Sequence, residues 1–209
     1  MEDLAARLRQ CKKPSGDEGR RIADEMNESH YMLTGWGLEY GEVPAAGQFL
    51  DIGCGGGRTL YRLAEAVPEG NFYGVDYSLD CVNWSKEYNK KWIDQRRMEV
   101  RHGSVEALPF PENRFDFITA VETVYFWPDL IRNFREVYRV LRPGGQFVII
   151  MAAYENPAFA ATNQVFTQSG DMKIFAPEEL TEALEKVGFS KVDVHTRPEK
   201  NWICCVNRK

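Results

Sequence analysis

Along the first 46 residues apolar side chains recur at helical spacing, and beyond residue 48 short apolar runs alternate with helical stretches. Leu4, Ala5, Leu8 and Cys11 share one helical face. Pro14-Ser15-Gly16-Asp17 makes a turn able to cap a second helix, and Ile22, Met26, Tyr31 and Leu33 continue the pattern. Gly35-Trp36-Gly37 and Gly41-Glu42-Val43-Pro44 are expected to break it. Phe49-Leu50-Asp51-Ile52 then reads as a short buried strand, 53–57 as a tight turn, and 59–67 as a helix carrying Leu60, Leu63, Ala64 and Val67. A second strand over 71–75 ends at Asp76, and Ser78 caps a helix expected to run to about residue 94. Strands follow over 98–102 and 115–121, then a helix over 130–141 stopped by Arg142-Pro143-Gly144-Gly145, and a fifth strand over 146–152.

Strands alternating with helices at this spacing imply an α/β fold, with a parallel sheet covered on both faces. The tail differs. Pro177 opens a helix that Gly188 ends, and 190–195 and 202–206 are strands joined by a link around Arg197-Pro198-Glu199. That link is too short for a helical crossover, so the last two strands should pair antiparallel. Residues 153–176 read as a long connection, of the kind that often forms a lid or binding loop. No internal repeat is visible, and the chain divides into an N-terminal helical cap over 1–46 and one compact unit over 47–209.

The 209 residues, 44% hydrophobic and 27% charged, suffice for a real core. A net charge of -5 argues against a partner bound through a nucleic-acid backbone. The five cysteines, Cys11, Cys54, Cys81, Cys204 and Cys205, are odd in number, two are adjacent, and none has zinc-like spacing, so reduced thiols in a cytoplasm and no metal are expected. Met1-Glu2-Asp3-Leu4 does not open like a signal peptide, and the apolar run 147–153 is too short to span a membrane.

The chemistry gathers at the first turn. Glycines after a strand let a ligand lie against the backbone, and the helix that follows points free N–H groups at the same place. Many nucleotides would fit such a turn. The dinucleotide pattern starting at Gly53 needs glycine or alanine at position 58, which is Arg58, and no Lys-Ser or Lys-Thr completes a P-loop. Asp51, two residues before Gly53, would repel a pyrophosphate and suits an ammonium group. Asp76 stands where an acid can bond both hydroxyls of a ribose. Ribose, ammonium and no phosphate together describe S-adenosylmethionine (SAM).

The run Phe49-Leu50-Asp51-Ile52-Gly53-Cys54-Gly55-Gly56-Gly57 resembles the first motif of class I SAM-dependent methyltransferases, D/E-x-G-x-G-x-G. Gly74-Val75-Asp76-Tyr77-Ser78 resembles their acidic ribose motif. Gly103-Ser104-Val105-Glu106-Ala107-Leu108-Pro109-Phe110-Pro111, followed by Phe115-Asp116, resembles their GDAEALPFPDNSFD block. The stretch 135–145 resembles the helix and turn before strand five. The likeness covers roughly residues 47–152 and is nearest the ubiquinone/menaquinone-methyltransferase-like (type 11) branch. It implies a Rossmann-like seven-stranded sheet of order 3-2-1-4-5-7-6 with strand seven reversed. It also implies that Asp51 meets the methionine end of SAM, that Gly53, Cys54 and Gly55 lie against the cofactor, and that Asp76 bonds the ribose. Tyr77 would lie beside adenine, Ser104 and Val105 at its edge, and Val121 with the same cofactor set. At Ser104 the chain departs from the family's usual Asp, which shifts the adenine contact toward the N–H of Val105.

The implied reaction moves a methyl group from SAM to a small-molecule O, N or C acceptor, leaving S-adenosylhomocysteine. Ligands of open parallel sheets sit beyond the carboxyl ends of the strands, so Glu122 and Tyr125-Phe126-Trp127 should face the methyl group, the three aromatics either as an apolar wall or as helix-start packing. His30, Tyr31 and Trp36 either line the site or pack the cap. Glu122, Tyr125 and His30 are candidate bases by location alone. The basic stretch Lys90, Lys91, Arg96, Arg97 and Arg101 reads as a solvated face. The competing readings are a SAM-binding protein without transfer activity, an enzyme that modifies SAM, and a nicotinamide oxidoreductase, which Asp51 and Arg58 disfavour.

Overall fold

The computed structural model describes Leu8 and residues 10–209; the apolar positions Leu4 and Ala5 of the first expected helix lie outside the described residues. Seven strands form one sheet: β1 (Ala46–Ile52), β2 (Glu69–Asp76), β3 (Met98–His102), β4 (Phe115–Val121), β5 (Leu141–Met151), β6 (Ser190–Arg197) and β7 (Trp202–Arg208). Their order is β3-β2-β1-β4-β5-β7-β6. β1 pairs in parallel with β2 and β4, and β7 runs antiparallel to both β5 and β6. The expected sheet, reversed seventh strand included, is the observed one.

The period of two along the strands sorts the core into two layers. Phe147, Ile149 and Met151 of β5 join one layer with Phe134, Val137, Leu180 and Leu184, from α6 (Leu130–Val140) and α8 (Pro177–Val187). Val148 and Ile150 join the other with Leu33, Leu60, Leu63 and Val82, from α2 (Tyr31–Leu38), α3 (Arg58–Ala66) and α4 (Leu79–Tyr88). The N-terminal α1 (Gly16–Ser29) packs on α4, and α2 lies on β5 and β7.

Five local expectations change. Gly35-Trp36-Gly37 does not break its helix but lies inside α2. A Cβ at Gly37 would come within 2.6 Å of Ile150 Cδ1, so this glycine lets the helix sit directly on the sheet. The helix expected to reach residue 94 splits at Asn89 into α4 and α5 (Lys90–Asp94). Buried Asn89 turns its side-chain amide back to the carbonyls of Gly57 and Ser85, both at 3.0 Å. A local bond of that kind competes with helix propagation. The connection over 153–176 contains α7 (Ala160–Gly170) and a 3-10 turn over Pro157–Phe159. Arg142-Pro143-Gly144-Gly145 belongs to β5, whose first residue, Leu141, pairs with Phe115. The basic stretch is not all solvated either: Arg97 donates to the carbonyls of Val67 and Gly70 and stacks over Trp92.

Because Asn89 both ends α4 and holds the loop that precedes α3, Asn89→Ala should lose about 1–3 kcal/mol of stability, the range for two buried hydrogen bonds. Urea unfolding with an unchanged m-value is the check; an unchanged midpoint would show the bonds to be dispensable.

Candidate active site

β1 delivers Asp51 to the carboxyl edge of the sheet, where the backbone turns sharply. The N–H groups of Gly53 and Cys54 both donate to Val75 O, at 2.7 and 3.1 Å, so the turn is anchored to β2. Two glycines serve different ends. Gly53 has φ +72, and a Cβ there would strike Thr123 Oγ1 at 2.4 Å. Gly55 has φ +49 with nothing within 4 Å of the same position, so its backbone faces open space. Its N–H donates to Asp76 Oδ2 at 2.9 Å, while Asp76 Oδ1 accepts from the N–H of Ser78 at 2.8 Å. The hydroxyl of Ser78 in turn caps α4 at Cys81 N and donates to Pro14 O at 2.7 Å, which ties the N-terminal segment over the end of β2.

Both acids are buried: Asp51 is 2% exposed and Asp76 6%. Burial pushes the Asp51 carboxyl up from 3.8 to about 7; the 2.7 Å bond from the Thr119 hydroxyl opposes the rise and the nearby Asp76 charge adds to it. Asp76 is likewise raised by burial, against the pull of its two backbone bonds and the charges of His102 and Lys13. Burial also raises the Cys54 thiol well above its ordinary range, so it is a neutral packing group and no nucleophile.

These groups surround a cavity of about 310 Å³. Asp51, Gly53, Cys54 and Gly55 border it from the first turn, Asp76 and Tyr77 from the end of β2, Ser104 and Val105 from beyond β3, and Val121 from the end of β4. Tyr77 is tied down by its hydroxyl, which donates to Lys12 O. The Ser104 hydroxyl is engaged locally: it accepts from Glu106 N at 3.2 Å and lies 3.4 Å from the Glu106 carboxylate, which also borders the cavity.

His30, Tyr31, Glu122, Phe126 and Trp127 also line the cavity. Tyr125 does not. It is 1% exposed and turns into the core, where its hydroxyl donates to Glu122 Oε1 at 2.9 Å. Trp36 also lies elsewhere, packed edge-on to Tyr40 and beside Trp202. Sequence reasoning missed Thr119, Thr123, Asn27 and Arg62. Thr119 is the registered cross-strand neighbour of Asp51, and Asn27 fills the space over Gly56. Only pairing register and helix docking place them, and neither is written in local sequence.

Residues 50–149 match the model of a family described as a methyltransferase domain. A demethylmenaquinone methyltransferase of Listeria welshimeri is 37% identical over 108 residues, 51% of this chain and 45% of that protein, so the chain aligns with less than half of the relative's length. Among solved structures, one from the complex of the Haloferax volcanii Trm112 methyltransferase activator with a methyltransferase superposes over 99% of this chain and 97% of its own, with a TM-score of 0.80 and 20% identity. A SAM-dependent methyltransferase from Aquifex aeolicus covers 88% of this chain and 95% of its own, with a TM-score of 0.71 and 20% identity. At such identities the structural likeness speaks to the fold.

The raised Asp51 carboxyl has a measurable consequence. A group raised on folding contributes stability below its unfolded value, near 3.8, and loses it as pH rises through about 7. Asp51→Asn keeps the oxygen that faces Thr119 without the charge. The ligand-free variant should therefore exceed the parent in urea stability at about pH 8, by on the order of a few kcal/mol, with the gap closing toward pH 4. Parallel pH profiles for the two proteins would contradict the burial of that charge.

Proposed function

We propose that this chain, whose residues 50–149 match the methyltransferase-domain family, is a class I SAM-dependent methyltransferase of the type 11 branch that binds SAM in the cavity at the carboxyl ends of β1, β2 and β4 and passes its methyl group to a small-molecule acceptor. The observation that carries the proposal is the pair of buried carboxylates flanking an open glycine turn. Asp51 has the Thr119 hydroxyl as its side-chain partner and no cation of the chain in contact among the described residues. A buried acid of that kind is completed by a positive ligand. The ammonium of the methionine moiety answers to Asp51, and the ribose hydroxyls to the edge of Asp76 that borders the cavity.

In the same reading, Gly53 and Gly55 let the cofactor touch the backbone, Cys54 and Val121 pack against it, and Tyr77 lies along adenine. The N–H of Val105 and the carboxylate of Glu106, which stands beside Ser104, meet the adenine edge. The helices within residues 1–46 serve as a cap that covers the bound cofactor, with Met26, His30 and Tyr31 bordering the cavity. Transfer from a sulfonium discharges the sulfur, so holding the acceptor in line and excluding water supply most of the acceleration. Phe126 and Trp127 furnish the apolar side of that space.

The Listeria relative makes demethylmenaquinone the first acceptor to try. Cys54, Cys81, Cys204 and Cys205 are buried thiols outside any disulfide, which supports a cytoplasmic setting. Among the described residues no helix is long and apolar enough to cross a membrane.

Calorimetry with SAM should give micromolar affinity. Asp76→Ala and Gly55→Val should each weaken it at least about tenfold, roughly 1.4 kcal/mol. At about pH 6 binding should also release part of a proton, as the ammonium drives Asp51 to ionise, and Asp51→Asn should abolish the release. Unchanged affinity in both of the first two variants, or tight NADH binding instead, would sink the proposal. Appearance of S-adenosylhomocysteine with an acceptor separates methyl transfer from binding alone and from modification of SAM.

A further inference from the structure

Directly after β4 the chain adopts a conformation that glutamate rarely takes: Glu122 has φ +58. The turn is held from several sides. The N–H of Glu122 donates to Ile150 O at 2.9 Å. Its carboxylate oxygen Oε1 accepts from the Tyr125 hydroxyl at 2.9 Å and from the N–H of Ala152. The Tyr125 oxygen itself accepts from Ala153 N at 3.0 Å, so the phenol that grips Glu122 is locked from behind. Strained backbone maintained by this many bonds is a mark of a working side chain. What the arrangement leaves uncommitted is the other oxygen, Oε2, which stands 3.5 Å from His30 Nε2. His30 comes from the junction of α1 and α2, far away in sequence, and both side chains border the cavity.

We propose that His30, supported by Glu122, is the proton acceptor of the reaction, and that the methyl acceptor is accordingly a planar phenol or enol. This deepens the SAM reading above and rests on it. In the step, the acceptor's hydroxyl proton passes to the imidazole, and the oxygen's electron pair forms the bond to the methyl carbon. The carbon–sulfur bond breaks with its pair going to sulfur. The products are the methyl ether, neutral S-adenosylhomocysteine and an imidazolium that the Glu122 carboxylate holds. Carboxylate-supported imidazole is a common solution for taking a proton near neutral pH. Tyr125 is a positioning residue: it fixes Glu122 without touching the cavity.

The surroundings fit such an acceptor. Phe126, Trp127 and Met26 border the same cavity and offer apolar surface to a flat ring. The other charged groups that line it come from separate elements: Asp51 and Asp76 from β1 and β2, Arg58 and Arg62 from α3, Lys12 from the end of the helical stretch before Pro14, and Glu106 from the turn after β3. Arg58 and Arg62 stack on the ring of Tyr31, at 4.9 and 3.7 Å, and so keep a positive field near the place where a phenolate would form.

The test uses 4-nitrophenol, whose ionised form absorbs visible light, titrated into the protein loaded with S-adenosylhomocysteine. The bound probe should ionise at least about one pH unit below the free probe, a tenfold bias toward the anion. His30→Gln and Glu122→Gln should return its ionisation to that of the free probe. Tyr125→Phe should shift it part of the way while leaving the affinity for S-adenosylhomocysteine within about twofold, a split that a merely structural role would not produce. Glu122→Gln retains an acceptor for both of its donors, and should it fail to fold, His30→Gln decides alone. A bound probe that ionises where the free one does, variants that match the parent, or no binding of the probe would each overturn the proposal. Calorimetry on the same samples keeps the two readings apart: absence of S-adenosylhomocysteine binding overturns the cofactor assignment, whereas its presence without the shift overturns the proton acceptor alone.

Discussion

β1 is hydrogen-bonded in parallel to β2 on one side and to β4 on the other, and the groups at the ends of these three strands take their place in the cavity from that pairing. Parallel neighbours end on the same edge of a sheet. Asp51, Asp76 and Val121 therefore arrive together although they are scattered over 71 positions of the chain. The Gly55 N–H, bonded to Asp76, then ties the loop of one strand to the end of the next. Without the pairing there would be an acid, a glycine loop and a second acid, but no concave surface between them.

The same pairing forces two carboxyl groups out of water. Burial drives each of these acids toward its neutral form. In the proposed reading a cationic ligand with hydroxyl groups reverses that pressure, so stability and ligand selection rest on one electrostatic arrangement. The left-handed Glu122 adds a second unfavourable element at the border of the same cavity, with backbone strain in place of desolvation.

α2 shows how the N-terminal segment is joined to this frame. It carries no charged residue, lies on β5 through Gly37, and brings His30 and Tyr31 to the rim of the cavity. The family likeness is strongest over residues 50–149 and says least about this segment, yet it supplies much of the cavity's outer wall.

The alternation of strands with helices and the reversal of the last strand were legible in the sequence, because a period of two inside apolar runs, glycine and proline at the turns and the length of each connection are local properties that sheet topology obeys. The order of the strands was implied by the family resemblance and not by the pattern. Several residues that border the cavity were legible too, since Asp51, the glycine turn and Asp76 sit at strand ends that the pattern marks. Tertiary structure decided what depends on distant partners. Gly37 reads as a helix breaker until Ile150 of β5 lies beneath it, and Gly35 until the Arg62 side chain packs against it, while Asn89 reads as mid-helix until Gly57 offers its carbonyl. Tyr125 reads as part of a wall until packing turns it inward to grip Glu122. Whether Thr119 meets Asp51, and His30 meets Glu122, is set by strand register and helix docking. These emerge only when the whole core is packed, because no local pattern records which side chain will stand across the gap.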